Sequence, residues 1–200
     1  MVELDAQQKN FINTRLKPYL EKDDIKGVVD ALRHAGFKTY MPSAGIFKFL
    51  YDLGIPLLEN CGDTIPPGMF CSTDIDKIEI PPYITHVDDM AFYCCEHLTD
   101  VVFNEGLEII GEYAFSWTKL QKIVFPESLK TVEAEAFSYC PNLSEIRLQS
   151  DVSIISAAFS GIDDALYIYV PEDIWEDVNS NWYHRGIFYN TRTLIKVVPY

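Results

Sequence analysis

A regular pattern of apolar and polar positions fills the second two-thirds of the chain. Phenylalanines recur with spacings of 22, 23, 22 and 22 residues, and an alanine precedes each of them except the first. The five are Phe70, Phe92, Phe115, Phe137 and Phe159. A fixed spacing of this length is typical of a solenoid, in which each repeat buries its apolar side against the next. We therefore expect the five phenylalanine side chains to stack in the interior.

Each repeat also contains a short segment in which apolar residues alternate with other residues. Its inward positions are Ile78 and Ile80, Val101 and Phe103, Ile123 and Phe125, Ile146 and Leu148, and Ile168 and Val170. An alternation with period 2 is typical of a strand with one buried face. The pattern predicts one such strand per turn, stacked in parallel at about 4.8 Å.

A second apolar pair lies before the next phenylalanine in each repeat. The pairs are Ile84 and Val87, Leu107 and Ile110, Leu129 and Val132, and Val152 and Ile155. These pairs predict a second short extended segment in each turn, followed by a tight corner.

If this register is right, the residues between the buried positions point outward in two rows. One row is Glu79, Val102, Val124, Arg147 and Tyr169, and the row before it is Lys77, Asp100, Lys122, Glu145 and Tyr167. We call these ten residues the strand face. Tyrosine and arginine are common at protein interfaces, so we predict a binding surface here. The alternative is that valine and tyrosine occur here only because they favour strands.

Two segments show the repeat most completely. They are residues 84–98, ITHVDDMAFYCCEHL, and residues 129–143, LKTVEAEAFSYCPNL. Both resemble the BspA-like class of leucine-rich repeats, whose turn reads approximately L-x-x-I-x-x-x-A-F-x-x-C-x-x-L-x-x-I-x-L-P. The resemblance covers about residues 64–171 in five copies. It implies an α+β fold built on a short right-handed leucine-rich-repeat solenoid. Many relatives are large, secreted or surface-attached adhesion proteins, so it also implies a binding role.

The first 60 residues predict helices instead of repeats. Apolar residues at near-helical spacing predict a first helix from Val2 to Leu20. Asp23 or Asp24 is expected to cap a second helix, which Gly36 would end. Ser43 is expected to cap a third.

We divide the chain into residues 1–60, a small helical N-terminal unit; 61–171, the solenoid; and 172–200, a C-terminal cap. The helical unit is interpreted as a cap on the first repeat or, alternatively, as a separate recognition domain. The C-terminal part predicts a short helix after Pro171 and a strand from Thr193 to Val198. The aromatic residues between Trp182 and Tyr189 would serve capping or, if exposed, bind a partner.

The net negative charge of the chain lies in residues 61–200. The net charge of the chain is −14. Residues 1–60 hold eight basic and eight acidic residues, which cancel. Residues 61–200 hold eight basic and 22 acidic residues and therefore carry the whole net charge. An acidic surface repels phosphates and anionic membranes, so we expect no direct binding to nucleic acid or membrane. The alternative use of this charge is an inhibitor, of a kind a phage could encode, that mimics nucleic acid and blocks a host protein.

The sequence offers little catalytic or metal chemistry. Cys94, Cys95, His97 and Cys140 form the one zinc-like group, but structural zinc sites usually separate paired cysteines by two to four residues. Cys95 and Cys140 also share one place in the repeat, three residues after the phenylalanine, a place that we expect to accept any small or medium residue. No phosphate-binding loop, dinucleotide-binding glycine pattern or nucleophile elbow is present. We predict no metal, no cofactor and no enzymatic activity; a hydrolase in the helical unit is the alternative.

The location follows from the N-terminus and the cysteines. The segment from Met1 to Asn10 is polar and resembles no secretory signal, and no apolar run approaches the length of about 18 residues that a membrane helix needs. Five cysteines, an odd number, are typical of free thiols. We expect a cytoplasmic protein of a bacterium or a phage-infected cell; a secreted form whose signal has been trimmed is the alternative.

Together these patterns predict a non-catalytic protein–protein interaction module that binds a protein partner through the strand face. The acidic inhibitor and an adhesin fragment are the two alternatives.

Overall fold

A helical unit precedes the repeats. The structure, a computed structural model, describes residues 4, 6–34, 40–162, 165–174 and 195–199. The helices are α1 (Ala6–Phe11), a π-helix (Ile12–Leu16), α2 (Lys17–Leu20), α3 (Ile25–Arg33), α4 (Tyr40–Asp52) and a 3-10 turn (Leu58–Asn60).

The starts of α3 and α4 test two of the expected caps. Asp24 caps α3, because its Oδ1 accepts a hydrogen bond of 2.9 Å from the backbone N–H of Gly27. Ser43 is wrong as a cap, since α4 begins at Tyr40 and Ser43 lies within its first turn. Pro42 is tolerated there because the first turn of a helix needs no intrahelical donor. Gly36 lies outside the described residues.

The helical unit packs against the first repeat. Val28, Leu32, Ile46 and Phe47 are buried and belong to the same hydrophobic cluster as the core of the repeats. At the contact, the ring of Tyr51 meets the ring of Phe70 edge-on, with a centroid distance of 6.0 Å. The helices therefore cover the apolar end of the solenoid, as a cap requires. The domain boundaries at residues 60 and 171 stay a prediction.

The repeats form a parallel β-solenoid, as predicted. One sheet has a two-residue strand from each of five turns, β1 (Thr64–Ile65), β3 (His86–Val87), β5 (Ile109–Ile110), β7 (Thr131–Val132) and β9 (Ser153–Ile154). The longer strands are β2 (Lys77–Ile80), β4 (Asp100–Phe103), β6 (Lys122–Val124), β8 (Glu145–Arg147), β10 (Leu166–Val170) and β11 (Ile195–Pro199). They make two parallel ladders, β2–β4 and β6–β8–β10–β11, so the hydrogen-bonded pairing is interrupted between β4 and β6.

The phenylalanine stack is confirmed. The four successive ring pairs have centroid distances of 5.1, 4.9, 5.3 and 5.6 Å and lie within 18° of parallel. The backbone repeats with the side chains, since the N–H of each of the first four phenylalanines donates a 2.8 Å hydrogen bond to the alanine carbonyl one turn on. Side-chain stacking and backbone bonding therefore set the same register.

One buried position was assigned wrongly. Ile155 was expected to be buried, but its side chain is 38% exposed, while Ile154 is 1% exposed. Ile154 is also the residue that pairs with Val132 of the preceding turn. Ile154 lies two residues after Val152, whereas the second residue of each other apolar pair lies three residues after the first, so the strand is displaced by one residue. A one-residue shift moves a side chain to the opposite face of a strand.

The C-terminal strand continues the second ladder. β11 pairs in parallel with β10, with Ile168 beside Val197, an offset of 29 residues. The strand expected from Thr193 to Val198 is confirmed over its described part. The expected helix after Pro171 is a three-residue 3-10 turn, Glu172–Ile174, in its described part. The aromatic segment between Trp182 and Tyr189 lies outside the described residues.

Candidate functional site

Each turn has a corner with left-handed backbone, two residues after the phenylalanine. The residues at this place, which we call the corner row, have φ between 54° and 68°. They are Ser72, Cys94, Trp117, Tyr139 and Gly161. The conformation directs each backbone N–H to the next turn: the N–H of Trp117 donates to Ser138 O at 3.0 Å, and that of Tyr139 to Ser160 O at 2.8 Å. The corner row is thus fixed by hydrogen bonds between turns.

The cysteines that resembled zinc ligands are part of a buried row directly after the corner. The row consists of Thr73, Cys95, Thr118, Cys140 and Ile162. The Cys95 thiol donates to Phe70 O at 3.0 Å and lies 3.5 Å from the Thr73 hydroxyl. Cys140 repeats this geometry, 3.2 Å from Phe115 O. In the described ranges, no three His, Cys, Asp or Glu side chains are grouped as metal ligands. The place therefore holds small side chains that hydrogen-bond and also the buried isoleucine Ile162.

Burial controls the chemistry of these thiols. It raises the pKa of both Cys95 and Cys140 to about 11, whereas Cys94 in the corner row is only half-buried. Since the thiolate is the reactive form, we expect a thiol reagent at a pH of about 8 to label Cys94 before either neighbour. Mass spectrometry would follow the labelling. A Cys94→Ser variant should lose the fast phase; rapid labelling of Cys95 in that folded variant would contradict the expectation.

The strand face lies on the outside, as its register requires. Exposed are Lys77, Glu79, Asp100, Val102, Lys122, Val124 and Tyr167; half-buried are Glu145, Arg147 and Tyr169. Val102 is 52% and Val124 is 45% exposed. The pairings Lys77–Asp100 and Glu79–Val102 belong to the first ladder, and Lys122–Glu145–Tyr167 and Val124–Arg147–Tyr169 to the second.

The charges on this face are largely paired with each other. The Lys77 ammonium lies 3.3 Å from Asp100, and the Lys122 ammonium 3.3 Å from Glu145. Hydrogen bonds from Thr99 and Lys77 lower the pKa of Asp100.

Arg147 joins the charged and aromatic parts of the strand face. Its Nε donates to Glu145 at 3.0 Å, and its guanidinium lies 4.4 Å from the centre of the Tyr169 ring. Such a contact holds a flexible cation in place. The second ladder thus presents an ordered arginine and tyrosine beside the exposed Val124.

The corner row borders a cleft that was not predicted from the sequence. Trp117 and Tyr139 are 49% and 43% exposed, and their rings stack at 4.8 Å and 17°. They border a cleft of about 390 Å³, the corner cleft, whose lining is Glu96, Trp117, Thr118, Lys119, Tyr139, Pro141 and Gly161. The available signal was the pair of aromatic residues at one repeat position, where the other turns have serine, cysteine or glycine.

A smaller cleft lies in the helical unit. It measures about 240 Å³ and is lined by Phe11, Arg15, Tyr19, Ala31 and His34. Among the described residues, this lining contains no carboxylate and so lacks the acid pair that a hydrolase of the glycosidase kind would use. The hydrolase alternative gains no support from it.

Comparison with known proteins decides the family. A family model described as "BspA type Leucine rich repeat region", in six copies, matches residues 63–195. The chain belongs to the BspA-type leucine-rich repeat family. The match counts one copy more than the five that the phenylalanine spacing marks, and β11 lies at its end.

Similar solved structures include a leucine-rich repeat protein from Bacteroides ovatus ATCC 8483, at 20% identity and a TM-score of 0.48. Another is the pneumococcal vaccine antigen PcpA, at 19% identity and a TM-score of 0.50. Each alignment covers 68% of this chain but only 34% and 36% of those proteins, respectively. The second likeness supports the fold alone. No curated protein matches significantly in sequence.

The family is one of repeat proteins, which present extended binding surfaces, and it names no partner. None of the helices in the described part of the chain combines the length and apolar character needed to cross a bilayer.

Proposed function

We propose that this BspA-type protein is a non-catalytic interaction module that binds a protein partner in the cytoplasm through the strand face. The observation that carries the proposal is the exposed apolar and aromatic row beside the ordered Arg147. Val102 and Val124 lie on the surface of consecutive turns, and Tyr167 is exposed two turns after Val124. The solenoid is stable without them, since the stacked phenylalanines and buried strand residues fill its core.

The charge pairing supports the same role. Because Lys77 and Lys122 already contact acids on neighbouring strands and Arg147 contacts Glu145 of its own strand, a partner would meet a face with few unpaired charges. An interface with this composition resembles others, in which aromatic residues and arginine are enriched and unpaired charge is depleted at the centre.

A double substitution tests the strand face. Wild type is expected to capture a partner from host lysate that the Tyr169→Ala, Val124→Asp variant captures at least tenfold less well, because an acid replaces an apolar contact and Arg147 loses its ring. The Ile155→Asp variant is the matched control: it places an acid at an exposed isoleucine of the fourth turn, outside the strand face. Equal recovery by wild type and the double variant would reject this face as the site.

The salt dependence of the captured complex separates this proposal from the acidic inhibitor. Binding through valines and tyrosines changes little between 50 and about 200 mM salt, whereas contacts that replace phosphates weaken by roughly 10³-fold or more over that range. A steep loss of affinity with salt would therefore favour the nucleic-acid mimic.

A further inference from the structure

The corner row contains two aromatic side chains that the fold does not require. Its left-handed backbone suits glycine, and Gly161 occupies it in the fifth turn with φ 68°. Trp117 and Tyr139 adopt φ of 60° and 54° at the equivalent places, where a bulky residue is strained. About half of each side chain is exposed, so burial of the two rings offsets little of this strain. Departures from local rules without a structural benefit are found at functional sites.

The shape of the corner cleft depends on the glycine beside the aromatic pair. A Cβ placed on Gly161 would lie 2.6 Å from Cδ1 of Tyr139, so only glycine lets the Tyr139 ring take this position. Pro141 adds an apolar wall, and Glu96 and Lys119 supply one charge of each sign. The cleft is therefore an aromatic floor with a polar rim, at the lower end of the volume range of ligand pockets.

The spacing of the turns fits a regular peptide. A polyproline II helix repeats every three residues, about 9.3 Å, and two turns of a parallel solenoid span about 9.6 Å. Glu96 and Pro141 occupy equivalent places, four residues after Phe92 and Phe137, in turns that are two apart. A polyproline II helix laid along the solenoid axis would thus present equivalent residues to both ends of the cleft.

We propose that the corner cleft binds a proline-rich segment of a protein in the polyproline II conformation, with a basic residue next to Glu96. Proline rings pack on exposed aromatic side chains in grooves of this kind. Proline carbonyls accept hydrogen bonds, which the Lys119 ammonium can donate. Residues 61–200 carry the whole net charge of −14, so a basic flank is attracted and an acidic one repelled. This site is separate from the strand face.

Direct titration tests the proposal. The probe is a labelled oligoproline of about nine residues, three turns of polyproline II, ending in two arginines; binding is measured by fluorescence anisotropy. The main variant is Trp117→Gly, because glycine suits the left-handed corner and keeps the fold. We expect at least a tenfold loss of affinity with an unchanged or higher melting temperature. Tyr83→Ala, which removes an exposed tyrosine from outside the cleft, is expected to bind as wild type does.

Two further arms identify what the cleft recognises. Glu96→Gln should weaken the arginine-ended peptide several-fold and leave an uncharged oligoproline unaffected, and a Gly-Ser peptide with the same arginines should bind far more weakly. No binding of oligoproline by wild type, or equal binding by Trp117→Gly, would overturn the proposal. Selective binding of a cello- or malto-oligosaccharide in its place would overturn it as well. The Tyr169→Ala, Val124→Asp variant should retain the peptide, so failure of one site is distinguishable from failure of the other.

Discussion

Replacement of Phe115 by alanine is expected to lower the free energy of unfolding by about 3–5 kcal/mol, the usual cost of removing a fully buried phenylalanine. Its ring lies between those of Phe92 and Phe137, at 4.9 and 5.3 Å, and meets Phe103 edge-on at 5.4 Å. Because the turns above and below are held by the backbone, they cannot close the cavity. For a chain of this size, the melting temperature should fall by roughly 6–20 °C.

The matched control is Val102→Ala, an exposed apolar residue of the second turn. Surface changes of this kind usually stay within about 0.5 kcal/mol of wild type. Calorimetry or denaturant titration of both variants gives the comparison. If the free energy of unfolding of Phe115→Ala lay within about 1 kcal/mol of the wild-type value, the stacked core would not be the source of stability.

Replacement of Phe47 by alanine is expected to destabilise the helices and the first turns of the solenoid together. Phe47 is almost fully buried in the hydrophobic cluster that continues into the repeats, so about 3–5 kcal/mol should be lost here too. Hydrogen exchange measures both parts at once. We expect faster exchange in α3 and also at the amide of Phe92, which bonds to Ala114 O.

Leu53→Ala is the control for this variant, because Leu53 directly follows α4 and is exposed. It should leave exchange in both regions close to wild type. Should Phe47→Ala speed exchange in the helices alone, the helical unit would be an independent recognition domain and not a cap.

The solenoid could be predicted from the sequence because every turn repeats the same pattern of buried positions. A Phe in each turn, at nearly constant spacing, specifies a stack, and the alternation after it specifies which strand residues lie inside. The errors came from single residues. Ile154 and Ile155 are adjacent and equally apolar, but only Ile154 lies five residues before the repeat phenylalanine, as Val132 does in the turn before. The choice of Ile155 followed the distance from Val152 instead. Ser43 was taken as the cap of α4, although Pro42 before it is suited to the first turn of a helix.

One of the six copies in the family match was missed for a related reason. Phe188 follows Phe159 by 29 residues, the same offset as between Ile168 and Val197 in the paired strands. A search for a period near 22 passes over a sequence interval that is seven residues longer. The family match to residue 195 includes it.

The strand face was placed correctly from the alternation, whereas the corner cleft could not be found in this way. A glycine at these two positions would have indicated a left-handed corner, but Trp117 and Tyr139 are poor indicators of that conformation. Only the hydrogen bond from each corner N–H to the following turn explains why such residues adopt it. Backbone bonding between turns is not visible in a pattern of side chains.

The corner hydrogen bonds also bear on how such proteins diverge. Since each turn bonds to its neighbour in the same way, a copy of the first, second or fifth turn, inserted between the third and fourth, would find donors and acceptors already in place. The two rings, now 4.8 Å apart, would be separated by roughly 10 Å, and the aromatic floor would be lost. A change in the number of repeats, which the backbone hydrogen bonds accommodate, would then change the ligand that the protein prefers.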